Sequence, residues 1–259
     1  MKKLLSMAFC AAAMASFAAD EITLGYGVGV IKIELKDGQK NTIIAASFTD
    51  LASDGNVSIA NLVKTTNLEA GAQIIRYTAA GTHETWTLDA DKAWQQVTTT
   101  VTQDANGTVT TGTGADPTTT APTVGEGLWI VRGDTNPIAN AVIALYGKYV
   151  ADKSYTTTAD AWNLVGNPTL KEQTIGTGKA GDRIMVPQGT TGAMRTYEYG
   201  SDGSKTGWYY VTSTTEEKTI DGESVSIATI TKTFANPSIA AGAGFWYLTK
   251  DAVTLSWAE

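Results

Sequence analysis

One histidine and one cysteine occur in this chain, and that limits its chemistry before any motif is sought. His83, within Gly81-Thr82-His83-Glu84, is expected on a surface turn. An imidazole activates a serine only with an acid behind it, and the chain has no Gly-x-Ser-x-Gly elbow to carry that serine. Zinc sites draw on several His and Cys ligands, which His83 and Cys10 cannot supply. Gly25-Tyr26-Gly27-Val28-Gly29 has the outline of a dinucleotide loop, but no strand-helix-strand pattern follows it, so strand glycines are expected. Acids are more plentiful, at 26 Asp and Glu. Glycoside hydrolysis needs two carboxyl groups roughly 5–9.5 Å apart, and no spacing here singles out such a pair. Asp50 with Asp54, Asp89 with Asp91, and Asp202 could hold calcium, yet none follows the spacing of a calcium-binding loop, so solvated turn acids are expected. No catalytic, cofactor or metal residue is therefore assigned. The seven tryptophans and ten tyrosines offer a different chemistry, stacking on a sugar. In Trp208-Tyr209-Tyr210, strand alternation sends Tyr209 to the face opposite its neighbours.

The elements that must position these groups are strands. The chain is 259 residues long, net charge −7, with 17% charged residues, enough for a large core without disulfides. Its acidity argues against a nucleic-acid partner, and beyond the N-terminus no apolar run approaches a membrane span of about 20 residues. Met1-Lys2-Lys3, the apolar stretch from Leu4 to Met14 and the small-residue exit Ala15-Ser16-Phe17-Ala18-Ala19 have the layout of a secretory signal peptide. Residues 1–19 are accordingly read as that signal, and the mature protein as secreted, at the cell surface or in the periplasm. Beyond it, Thr, Val, Ile and aromatic residues alternate at period two. Asp37-Gly38, Asp54-Gly55, Asn106-Gly107, Asp202-Gly203 and Asp221-Gly222 supply hairpin turns. The one helical candidate lies around 58–65. The Thr-rich stretches 94–114 and 208–234 are expected as long exposed hairpins turning at Asn106-Gly107 and near Asp221-Gly222.

Landmarks recur in order along the chain. Ala70-Gly71-Ala72-Gln73-Ile74-Ile75 answers Ala180-Gly181-Asp182-Arg183-Ile184-Met185, and Trp94-Gln95-Gln96-Val97 answers Trp208-Tyr209-Tyr210-Val211. Pro122 answers Pro237, and Gly125-Glu126-Gly127-Leu128-Trp129 answers Gly242-Ala243-Gly244-Phe245-Trp246. The reading is an all-β fold of two duplicated antiparallel units, sandwiches or partly open barrels, at 41–150 and 151–259. Trp94, Trp129, Trp208 and Trp246 hold matching positions and are expected in the two cores. Tyr209 and Tyr247 have no aromatic counterpart in the first copy and become the candidate ligand-binding aromatics on the surface. Residues 20–40 have no partner in this scheme. Ile22, Leu24, Tyr26, Val28 and Val30 share one face before Ile31, Ile33 and Leu35 change parity, which implies a bulge or a crossing between sheets. This strand either closes the first unit or adds to a neighbouring copy through 20–36.

Trp162-Asn163-Leu164-Val165-Gly166-Asn167-Pro168, Gly181-Asp182-Arg183-Ile184-Met185-Val186-Pro187 and Gly242-Ala243-Gly244-Phe245-Trp246-Tyr247 together resemble a poorly characterised group of secreted bacterial β proteins. That group pairs an Asn-Leu-Val-Gly-Asn-Pro opening with a Gly-x-Gly-Phe-Trp closing strand. The resemblance implies an extracellular β module and no particular reaction. Three functions compete: a structural or adhesive surface component acting by binding or assembly, with a second copy as one partner, a carbohydrate-binding module using exposed aromatics on a surface glycan, and a polysaccharide hydrolase. The first best accounts for Thr-rich hairpins, repeated units and the poverty of catalytic groups.

Overall fold

Runs rich in Thr, Val, Ile and aromatics become antiparallel ladders in the computed structural model, which describes residues 22–24, 28–52, 55–63, 65–79, 82–97, 100–103, 109–112, 115–133, 140–150, 153–188, 193–220 and 223–257. Residues 1–19, Asp54 and the expected turn positions 106–107 and 221–222 lie outside the described residues.

The first half carries β1 (Ile22–Leu24), β2 (Val28–Leu35), β3 (Asn41–Ala45), helix α1 (Ile59–Leu62), β4 (Thr65–Thr66), β5 (Gln73–Ala79), β6 (Thr82–Leu88), β7 (Trp94–Gln96), β8 (Thr100–Gln103), β9 (Val109–Gly112), β10 (Gly127–Val131) and β11 (Ala141–Lys148). They form the sheets β3-β10-β5-β6-β7 and β1-β2-β11-β4, with β8-β9 as a separate ribbon. The second half carries β12 (Lys153–Thr156), β13 (Ala161–Gly166), β14 (Gln173–Thr174), β15 (Arg183–Gln188), β16 (Ala193–Ser201), β17 (Thr206–Ile220), β18 (Glu223–Phe234), β19 (Ser238–Ile239), β20 (Gly244–Thr249) and β21 (Thr254–Trp257). Here the main sheet is β13-β20-β15-β16-β17-β18, with the short pairs β12-β21 and β14-β19 beside it.

Read from β3 and from β13, the two main sheets pass through their strands in the same order. Register agrees as well. Ile74 stands opposite Trp86 as Ile184 does opposite Tyr197, and Leu88 opposite Trp94 as Tyr199 does opposite Trp208. Ile75 faces Trp129 as Met185 faces Trp246.

The N-terminal strand departs from the sequence reading. β2 pairs without a break along β11, from Val28↔Lys148 to Leu35↔Ala141, and buries Ile31 and Leu35 in its own core. No bulge interrupts β2. The parity change falls inside this unbroken strand: Val28 and Val30 share the face of their β1 partners Leu24 and Ile22, while Ile31 and Leu35 lie on the opposite face, in the core. β2 is thus apolar on both faces, with no slip in register. β2 pairs antiparallel with β11, and in the second half β12 pairs antiparallel with β21.

Each half has its own core. In the first, Leu35, Ile143 and Leu145 pack against Ile44, Ile74, Trp86, Leu88 and Leu128, with Ile59 and Leu62 of α1 closing one end. In the second, Val165, Ile184, Tyr197, Trp208, Phe245 and Tyr247 pack with Ile239 and Trp257. Trp94 and Trp208 are buried as expected. Trp129 and Trp246 are not: both are half-buried, and they meet each other edge to face, centroids 6.4 Å apart.

That tryptophan pair belongs to a reciprocal junction between the halves. Ala45 N donates to Gly242 O at 2.7 Å, and Gly166 N donates to Gly125 O at 2.8 Å. Bridges Ile44↔Ala243 and Glu126↔Val165 flank them. Leu164 lies against Gly127 and Ile43 against Gly244, each leaving no room for a side chain on the glycine. The same loop on each half therefore reaches the same strand on the other, the pattern of a two-fold contact.

The Asn-Leu-Val-Gly-Asn-Pro segment has a structural task within this frame. Asn163 Oδ1 accepts from Thr158 N at 2.7 Å, and its amide donates to Ala161 O and Thr158 O. Asn167, fully buried, reaches five groups in two segments, 169–171 and 239–240. Its amide donates to Lys171 O, Ile239 O and Ala240 O, and its Oδ1 accepts from Thr169 N and Oγ1.

Candidate functional site

Strand β16 is laddered to β15 from Ala193 to Glu198, but to β17 only from Glu198 to Ser201. From Tyr210 outward, the ladder of β17 runs to β18 alone. Where the two strands part, a cleft of about 670 Å³ opens, within the size range of ligand sites. Met194 and Arg195 line one side, Tyr209, Tyr210 and Val211 the other, and Lys232 the floor beside them.

Pairing sets this lining. Lys232 lies directly opposite Val211, and Phe234 opposite Tyr209, so these four share one sheet face. The Lys232 ammonium sits 4.3 Å from the centroid of the Tyr209 ring, and the Arg195 guanidinium 4.7 Å from that of Tyr210. Tyr209 Oη donates to Glu198 at 3.0 Å. Arg183 stands 3.5 Å from the same carboxylate, and Lys205 lies over Phe234 at 5.3 Å. Two cations, Arg195 and Lys232, thus line the cleft with one carboxylate, Glu198, which Tyr209 and Arg183 already hold.

The two tyrosines singled out from sequence are separated by the fold, and neither is an exposed platform. Tyr247 is 1% exposed, in the core beside Trp208 and Phe245. The expectation failed on parity: Phe245 and Tyr247 point into the core while Trp246, between them, turns to Trp129. Burial and then Asp182 push the Tyr247 hydroxyl well above the usual tyrosine range, so it stays a neutral donor to Asp182 Oδ2 at 3.3 Å. Tyr209 does lie on the outer face, as alternation required, but it is 7% exposed because Lys232, Phe234 and Glu198 cover it. Arg195, Tyr210 and Lys232 were missed. Tyr210 stood in the same triplet, whereas Lys232 becomes a neighbour of Tyr209 only once the β17/β18 register is known.

Elsewhere the candidate groups are held by structure. His83 is on strand β6 and not on a turn, opposite Tyr77 with centroids 5.8 Å apart. Two carboxylates that the fold does bring together, Glu84 and Glu126, are bridged by Arg76: Nε–Oε1 2.6 Å to Glu126 and Nη1–Oε2 3.2 Å to Glu84. The guanidinium occupies the space that a glycosidase would keep for substrate and water. Among the described residues no group of three or more His, Cys, Asp or Glu gathers as a metal site. The turn acids accept from their own loops. Asp50 Oδ1 takes Ala52 N, and Asp89 takes Ala93 N and Gln95 Nε2.

Asp202 is the extreme case, accepting from Ser204 N, Ser204 Oγ and Lys205 N. These bonds lower its carboxyl from 3.8 to about 2. A depressed value means that the turn's stabilisation is complete above the ordinary 3.8 and is lost as pH falls through about 2. A carboxyl-detected NMR titration is expected to show a midpoint near 2 for Asp202; an unshifted midpoint would contradict this turn geometry.

The comparisons can now be set beside this geometry. Neither protein-family models, curated proteins nor solved structures match this chain. No helix among the described residues is long and apolar enough to cross a membrane.

Proposed function

We propose that this chain is a non-catalytic exported protein, a structural or adhesive component of the cell surface or extracellular space, built from two copies of one β unit and acting by assembly. The observation that carries the reading is the arm formed by β17 and β18. Its ladder runs from Tyr209↔Phe234 to Ile220↔Glu223, and residues 211–219 are exposed on both faces. A two-stranded ribbon is marginal in water without packing on a face, and its edges present unpaired backbone groups to other strands. An arm of this length serves a contact outside its own domain. The shared sheet order of the halves supports the duplication, and the layout of residues 1–19 supports export.

The segment 20–36 no longer suits the assembling role, since β2 is taken up by its own sheet. The glycan-binding alternative is weakened by the cations lying on the Tyr209 and Tyr210 rings, which occupy faces that a sugar would stack on. Negative-stain electron microscopy of the secreted, signal-cleaved protein tests the proposal. Regular multimers are expected; single particles of monomer size at every concentration would refute it.

A further inference from the structure

We propose that the cleft between β16 and β17 receives the acidic tip of the β17–β18 arm from a second copy of this chain, joining copies head to tail. This inference rests on the assembly reading and names the two surfaces that meet.

Three observations converge on the pairing. The first is charge. Arg195 and Lys232 line the cleft with Glu198 as the only acid of the lining, and Glu198 is already taken by Arg183 at 3.5 Å, whereas the described part of the arm tip carries Glu216, Glu217 and Glu223 against Lys218. Lys218 stands 3.8 Å from Glu216, which leaves these residues with an excess of two negative charges. The second is backbone. The cleft lies where β16 and β17 lose their mutual ladder, so each strand has an edge directed at it, and a further strand adds there by main-chain hydrogen bonding. The third is exposed apolar surface at the mouth. Val211 is 54% exposed and Ile230 is 72% exposed, and the two lie on the same face because Val211 pairs with Lys232 and Ser213 with Ile230.

An arm cannot fill its own cleft. Val211 lines the cleft, and Glu217 is six residues along a paired ribbon, roughly 20 Å away at strand rise. The acidic tip therefore meets the cleft of another copy. The two surfaces are different, so the contact is heterologous and propagates as an open chain unless the rotation between copies closes a ring. Glu217 is already held within the arm by Ser224 and Ser226, which stiffens the tip before it docks.

The test is sedimentation velocity on the full mature chain, supported by a charge-swap pair. Wild-type association should weaken steeply as salt is raised, because the attraction is between partly exposed charges. Arg195→Glu with Lys232→Glu makes a cleft-reversed chain, and Glu216→Lys with Glu223→Lys a tip-reversed chain. Each alone should associate at least about tenfold more weakly than wild type. An equimolar mixture should recover association, since the reversed tip then meets a reversed cleft. Far-UV circular dichroism confirms that both variants are folded, and the salt series on wild type needs no variant at all. Wild-type multimers insensitive to salt, variants that assemble like wild type, or a mixture without recovery would overturn the cleft–tip contact while leaving assembly itself standing. A wild type that stays monomeric at the highest attainable concentration overturns both.

Discussion

Replacing Asn167 by alanine is expected to destabilise the protein by about 3 kcal/mol, among the largest effects of any single polar substitution here. The side chain is inaccessible to water and bonds the loop after β13 to the segment around β19. Its removal takes a donor from the carbonyls of Ile239 and Ala240, which lie 2.9 and 3.0 Å from the amide nitrogen, and leaves Ala240 O with Ala243 N alone. Thr169 loses the acceptor for its N–H, and its hydroxyl keeps only Lys171 O. Each buried group left without a partner costs about 1–3 kcal/mol, and water cannot enter without opening the loop. Asn167→Asp should be nearly as damaging, since it keeps the acceptor but removes both donors. Urea unfolding followed by tryptophan fluorescence measures this directly. A loss under about 1 kcal/mol would show that the loop does not depend on Asn167.

Gly244→Val is expected to cost about 3 kcal/mol or more, by forcing the junction between the halves apart. A side chain at Gly244 would fall on the Cγ2 of Ile43 and within 2.9 Å of Val165 O. Ile43 is itself 2% exposed on β3, laddered to β10 opposite Trp129, and the Val165 carbonyl is backbone of the paired strand β13. Neither neighbour can yield without disturbing a ladder. Relief would come by separating the sheets, breaking the paired bonds Ala45 N to Gly242 O and Gly166 N to Gly125 O. The variant should unfold at lower urea, and the edge contact of Trp129 with Trp246 should be lost from its near-ultraviolet circular dichroism. Unchanged stability would mean that the halves are not held at this junction.

Much of this architecture could be read from residue types because strands bury what alternates. The helix at 59–62, the long arm at 206–234 and the burial of Trp94 and Trp208 all follow from local pattern. What pattern could not supply is which face meets a second sheet. Phe245-Trp246-Tyr247 offers apolar groups on both faces, and only the presence of Trp129 across the junction draws Trp246 away from its own core. Val30-Ile31 likewise looks the same whether a strand bulges or runs on straight with apolar residues on both faces, because both bring two apolar parities together. The cleft was half legible. Tyr209 was placed on the outer face by alternation alone, but its cover by Lys232 depends on a register set across the arm. Arg195 reaches the cleft because β17 leaves β16 after Tyr209, an event with no sequence mark.

The claim that the arm is an assembling element is tested most directly by shortening it. Residues 213–230 are replaced by Asn-Gly, so that the Thr212↔Thr231 pair closes a two-residue hairpin. Sedimentation velocity then compares this chain with wild type over the same concentration series. The excised residues contribute little to either core, since residues 213–219 and most of 223–230 are exposed, so the short-armed chain should keep the wild-type unfolding midpoint. The account predicts that wild type sediments as multimers growing with concentration and that the short-armed chain sediments as a folded monomer throughout. Equal multimerisation of the two chains would contradict it.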